Sequence, residues 1–209
     1  MNNIKNNVLE KELFYDNTLI LKYHIEYPTI ISNSLDSSIF KFNMYNQHLA
    51  FSLRNKAENE LYKEAIELYN YNKENNFPVM QYEVYRTYEI TLNTNNLISL
   101  YADEYIFSGG AHGTTIRTSQ TWNLKQGNMI ELNNLFPRNP YFMINILKQI
   151  NEQIAKEPEI YFEGTCDLVL ETFNPKSFYL TSDNIVIYFQ QYDIAPYSSG
   201  IRTFNISYI

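Results

Sequence analysis

The stretch Val79-Met80-Gln81-Tyr82-Glu83-Val84-Tyr85-Arg86-Thr87-Tyr88-Glu89-Ile90-Thr91-Leu92 alternates along its whole length. The even positions are mostly apolar, and the odd positions include Gln81, Glu83, Thr87, Glu89 and Thr91. A period of two sends alternate side chains to opposite faces of a sheet, so this segment predicts a strand with one covered face. Met80, Tyr82, Val84, Tyr88 and Ile90 are expected on that face. Thr94-Asn95-Asn96 then turns the chain into an apolar run over 97–107. The glycine-rich Ser108–Gly113 follows, and then a further run over 114–123. Residues 79–123 are therefore expected to form three successive antiparallel strands, extended by a short strand over 129–132 after the Lys125–Asn128 turn.

Outward from this meander, the N-terminal side predicts a hairpin and a long helix. Residues 1–10 are polar and read as a lead-in. Runs over 12–15 and 19–27 flank Asp16-Asn17-Thr18, a turn sequence that tolerates positive φ. Pro28 is expected to end the second strand. With Asp36 or Ser37 as N-cap, Ile39, Phe42, Tyr45, Leu49, Leu53, Ala57, Leu61, Ala65 and Leu68 recur every three or four residues. That is a helical stripe of roughly 35 residues, about 50 Å long and open to a bend midway. On the C-terminal side, Asn139-Pro140 starts a second helix with Met143, Leu147, Ile150 and Ile154 on one face. The stretch 159–174 reads as irregular, and strands are expected over 178–180, 185–190 and 203–207. The fold class is α+β: two closely packed antiparallel-sheet subdomains, each carrying one helix.

At 209 residues with 44% hydrophobic residues, the chain can build a core without staples. Its net charge of −7 opposes binding to phosphate backbones, so nucleic acid is not an expected partner and a basic protein is a better match. The single cysteine, Cys166, excludes an intramolecular disulfide. Asn occurs 27 times and Lys outnumbers Arg eleven to five, which we read as compositional bias. No apolar run is long enough to span a membrane, and the N-terminus shows no signal-peptide core. Composition leaves the compartment open.

Four features invite a chemical reading. Ser108-Gly109-Gly110-Ala111-His112-Gly113 offers glycines for an anion-holding nest, but it precedes a strand pattern and lacks GxGxxG spacing. A structural turn or a partner-facing surface is the expectation there. His112, His24 and His48 show no HxxxH or HExxH spacing and no CxxC is present, so neither metal nor cofactor is expected. His112 with a carboxylate, or with Cys166, is the remaining route to catalysis. Glu163, Asp167 and Glu171 recur every four residues; on a helix they are a solvated acidic face. Finally, Tyr188, Phe189, Tyr192, Pro196 and Tyr197 cluster around Asp193 before Ser198-Ser199-Gly200. Tyrosine anchors recognition surfaces because it buries area at low entropy cost, while the plainer role is half-buried sheet packing.

These blocks resemble a known family. Tyr105-Ile-Phe-Ser-Gly-Gly-Ala-His-Gly113, Thr121-Trp-Asn-Leu-Lys-Gln-Gly127 and Ile130-Glu-Leu-Asn-Asn-Leu-Phe136 are similar to a recurring block of RsiV-like, lysozyme-responsive anti-sigma factors. Phe178 through Tyr197, ending Tyr192-Asp-Ile-Ala-Pro-Tyr197, resembles that family's C-terminal domain. The N-terminal half, with Tyr27-Pro28 and Asn43, resembles the companion domain that also precedes some peptidoglycan deacetylases. The resemblance covers about residues 12–209 and implies two domains, 11–127 and 128–209. It implies an extracytoplasmic, non-catalytic module that recognises a cell-envelope ligand, which in the best-known members is lysozyme. This chain departs from the family in lacking the sigma-binding part and the membrane helix, so binding rather than signalling is the expectation. The expected ligand-binding residues are Ser108, Gly109, Gly110, His112 and Gly113 together with Tyr192, Asp193, Pro196 and Tyr197. The alternatives are a small hydrolase or polysaccharide-modifying enzyme using His112 with a carboxylate, and a module that binds peptidoglycan directly.

Overall fold

The computed structural model describes residues 1–32 and 36–207. Strands β1 (Asn3–Tyr15) and β2 (Thr18–Ile31) lead into helix α1 (Ser37–Lys56), which continues through a wide π turn at Ala57–Leu61 into α2 (Tyr62–Glu74). Strands β3 (Tyr82–Asn93), β4 (Leu97–Phe107), β5 (Thr114–Asn123) and the short β6 (Asn128–Met129) follow. Helices α3 (Phe142–Ile154) and α4 (Thr165–Thr172) precede strands β7 (Phe178–Leu180), β8 (Ile185–Phe189) and β9 (Arg202–Ile206). Hydrogen bonding orders the strands β1-β2-β3-β4-β5-β6 in one sheet and β7-β8-β9 in another, an α+β arrangement. The chain divides into an N-unit, residues 2–88 with 102–115, and a C-unit, residues 89–101 with 116–209 and Met1.

In the N-unit, Asp16 and Asn17 both take left-handed φ values (49° and 58°), the requirement of a two-residue hairpin turn. Residues 1–10 are not a lead-in. Strand β1 begins at Asn3, opposite Ile31, and its polar residues are tolerated because most of the strand is exposed. Nor does Pro28 end β2. The ladder to β3 covers Leu21–Ile25, so the missing N–H of Pro28 lies beyond it. The pairing slips between Leu13 and Phe14, leaving Ile20 as an extra residue. This bulge explains why the neighbours Ile20 and Leu21 are both buried.

Strand β3 pairs with β2 in parallel, Leu21 opposite Tyr82 through Ile25 opposite Arg86. This departs from an all-antiparallel reading, and the long helix explains it by acting as a crossover between the two strands. The helix buries Phe42, Asn46, Ala50, Leu53, Ala57, Leu61, Ala65, Tyr69 and Asn72. Expected members Leu49 and Leu68 are only partly covered, and Tyr45 is exposed. From Leu53 to Tyr69 every step is four residues, longer than the α-helical 3.6, and the π turn absorbs the excess and keeps the line on the sheet. The two asparagines are satisfied by backbone: Asn46 Nδ2 donates to Phe42 O (2.9 Å) and Asn72 Nδ2 to Pro78 O (3.0 Å). Strand β3 starts at Tyr82 and not at Val79. Its Tyr82 and Val84 are buried and Tyr88 and Ile90 partly covered, as is Met80 ahead of the strand, so the even face is the covered one. Arg86 is wholly buried on that face, donating from Nε to Glu104 (3.1 Å) and from Nη1 to Glu26 O (2.6 Å).

The core of the C-unit joins Ile146, Ile150 and Ile154 of α3 to Phe178, Leu180, Ile185, Ile187, Phe189 and Phe204 of the three-stranded sheet. The segment read as irregular contains α4, whose start at Gly164 uses a left-handed φ of 74°. Hydroxyl groups fasten β7 where no strand partners it: Ser99 Oγ accepts from Leu180 N (2.8 Å) and Thr91 Oγ1 donates to Leu180 O (2.7 Å). Among the described residues no helix is long and apolar enough to cross a membrane.

Candidate functional site

The glycine loop belongs to the N-unit and spends most of its glycines on internal fit. A Cβ on Gly113 would lie 2.4 Å from the Tyr105 ring, so only glycine lets that ring settle on the backbone. Gly109 has φ +86°, and a Cβ there would meet Leu68 Cδ2 at 3.0 Å. Gly110, at φ +104°, faces open space. Ser108, Gly110 and His112 are exposed. His112 Nδ1 lies 3.0 Å from Gly113 O, a bond that braces the loop.

The tyrosine segment belongs to the C-unit and is built in the opposite sense. Ile194 and Ala195 are buried in its middle, at 0% and 1% exposure, while Tyr192 and Pro196 on either side are exposed. The rings of Tyr192 and half-buried Tyr197 pair at 5.7 Å between centroids. Tyr192 takes φ 68°, a left-handed conformation that costs a bulky residue about 1 kcal/mol. The turn holding it is closed from both sides: Asp193 N donates to Gln190 O (3.2 Å), and Gln190 N donates to Asp193 Oδ2 (2.7 Å). Burial pushes the Asp193 carboxyl above its ordinary value, only partly offset by that backbone bond. Asp193 is thus a turn-closing acceptor as well as a charge beside the rings.

Two supports of this segment carry no strong sequence signal. Gln190 clamps the Arg117 backbone, accepting from N (2.9 Å) and donating to O (2.7 Å). Phe162 N donates to Ile194 O (3.1 Å) from the far end of α4's approach. The other chemical candidates stay peripheral. Cys166 is exposed, as are Asp167 and Glu171 on α4 and Glu163 just before it, so the acidic repeat is solvated. Among the described residues, no three His, Cys, Asp or Glu side chains converge as a metal site.

The family described as Deacetylase PdaC matches residues 15–115, and a protein family of unknown function, DUF3298, matches residues 133–208. The chain is 29% identical over 158 residues to the anti-sigma-V factor RsiV of Bacillus subtilis (strain 168), covering 72% of this chain and 53% of RsiV. This is an RsiV-like region with a PdaC-like domain. The RsiV-like chain is also 22% identical over 191 residues to the peptidoglycan-N-acetylmuramic acid deacetylase PdaC of the same organism, covering 88% of itself and 37% of that enzyme. It therefore spans about half the length of RsiV and little more than a third of PdaC. A DUF3298 family member from Bacteroides fragilis shares the fold at a TM-score of 0.75 and 16% identity, over 99% of this chain and 90% of the other. A DUF3298 protein from Pseudomonas aeruginosa PAO1 does so at 0.64 and 16%, over 99% and 91%.

Proposed function

We propose that this RsiV-like region is a non-catalytic recognition module for a cell-envelope ligand, and that the ligand is a lysozyme-like muramidase. The observation that carries the reading is the Tyr192–Tyr197 ring pair, set on a turn whose centre is pinned in the core. A rigid, amphipathic aromatic pair loses little entropy on binding and suits insertion into a saccharide-binding cleft. The net charge of −7 steers a basic enzyme toward it. Asp193 and Pro196 frame the rings, and the exposed lip of the glycine loop, Ser108, Gly110 and His112, supplies a second contact region shaped by Gly109 and Gly113. In this reading the two family segments act as separate domains divided near 127/128, and His112 is a brace rather than a base.

The test is a calorimetric titration of the chain with lysozyme at low and high salt. Binding at or below about 10 μM, weakening as salt rises, is the expected result. No heat of binding at either salt concentration would discard lysozyme as the ligand.

A further inference from the structure

The N-unit's sheet carries its helix on one face only; the other face is polar, aromatic and open. In the pairing of β1, β2 and β3, Glu10 stands opposite His24, Glu12 opposite Lys22, Lys22 opposite Glu83, and His24 opposite Tyr85. Glu10, Glu12, Lys22, His24 and Tyr85, with Lys11 and Tyr23, line a trough of about 460 Å³, within the range of small-ligand sites, and Glu83 lies beside it. Beside it the rings of Tyr85 and Tyr105 lie 6.2 Å apart, and Tyr105 is seated on Gly113.

We infer that this helix-free face is a second binding site, for a glycan whose sugars carry free amines, that is, a de-N-acetylated amino-sugar polymer. The face already holds the chemistry concerned. The Lys22 ammonium sits 2.8 Å from Glu83 Oε1 and 5.8 Å from the centre of the Tyr85 ring, a primary ammonium between a carboxylate and an aromatic face. An amino sugar presents the same pair of features: a protonated amine, and an apolar C–H face that packs on a ring. The second ammonium has an acceptor in Glu12, an exposed carboxylate on the edge strand across from Lys22. Glu12 on β1 and Glu83 on β3 flank Lys22 of β2, two strand spacings of about 4.8 Å each, of the same order as the disaccharide repeat of a β-1,4-linked glycan. An acetylated sugar loses the charge and brings an amide that these acidic side chains attract weakly. The inference does not rest on the muramidase reading, because it concerns other residues and another ligand.

The test titrates the full chain with a fully de-N-acetylated chito-oligosaccharide and with its N-acetylated counterpart, at mildly acidic pH where the amines are protonated. The amine form is expected to bind at least about tenfold more tightly than the acetylated form. Tyr85→Ala and Glu12→Gln are each expected to weaken it by about tenfold. Circular dichroism checks the half-buried Tyr85 variant, and the exposed Glu12→Gln keeps the test decisive if that variant unfolds. Removing charge elsewhere, with Asp167→Asn and Glu171→Gln on α4, is expected to leave affinity unchanged. Equal affinity for the two sugars, no binding of the amine form, or equal loss from the α4 variants would overturn the proposal. Lysozyme titration reads a separate ligand, so either reading can fail without the other.

Discussion

The Ser108–Gly113 loop and the Tyr192–Tyr197 turn both stand out in the sequence, yet they use their unusual residues in opposite directions. In the loop, Gly109 and Gly113 face inward, and a side chain on either would press on Leu68 or Tyr105. Their freedom serves the fold of the N-unit. In the turn, Ile194 and Ala195 face inward while Tyr192 projects beside the half-buried Tyr197, with Tyr192 held at a backbone angle that favours smaller residues. That backbone strain sits at an exposed residue, outside the core that the neighbouring Ile194 joins. A residue type that departs from its surroundings therefore signals function only once the direction of its packing is known.

The largest expected effect comes from the pinned centre of the turn. Ile194→Ala should cost about 2–5 kcal/mol in urea unfolding, the range for a core aliphatic truncation. Tyr197→Ala should cost less than about 1 kcal/mol in the same assay. Similar losses for the two would erase the distinction between anchor and display.

Next in size is the loop. Gly113→Ala should destabilise by about 1–3 kcal/mol as the Tyr105 ring is displaced. A neutral result would mean the ring swings aside freely and the glycine is kept for a partner. Tyr192→Gly runs the other way: relief of the left-handed φ is worth up to about 1 kcal/mol, so stability should hold or rise while lysozyme affinity falls. Loss of stability in that variant would show that the ring pair is structural.

The smallest effects are in pH dependence. Burial raises the folded-state pKa of Asp193 above its ordinary value, so its contribution is complete below that value and fades as pH rises through the raised one. Asp193→Asn keeps an acceptor for Gln190 N and sheds the buried charge, so its stability at neutral pH should match or exceed wild type. In the N-unit, bonding to Glu26, with a further contribution from Glu10, raises His24 above 6.5. Stability from that pairing is present below 6.5 and lost as pH rises through the raised value. His24→Gln should flatten the slope there, and an unchanged pH profile would show that the pairing contributes nothing.

Much of the fold was readable from periodicity. The alternation in β3, the Asp16-Asn17 turn and the two main helices follow from local chemistry that a linear sequence carries. The parallel β2–β3 pairing does not, because it depends on where a long helix delivers the chain. The sequence stripe names Leu49 and Leu68 where the helix buries the adjacent Ala50 and Tyr69; the small Ala50 permits close approach to the sheet, and beyond Leu61 the π turn shifts the phase. Strand β1 leaves little trace in the sequence before residue 12, because its pairing uses backbone groups while most of its side chains stay exposed. At the candidate site the tyrosines were legible by type. The roles of Asp193 and Gln190 were not, since a turn closed by a side chain and a backbone clamp leave no periodic trace.

The most direct test of the account compares lysozyme affinity of the wild type and of Tyr197→Ala, with circular dichroism confirming that both are folded. The wild type is expected to bind, and the variant to bind at least about 2 kcal/mol more weakly, the scale of an interface anchor. Equal affinities in two folded proteins would contradict it.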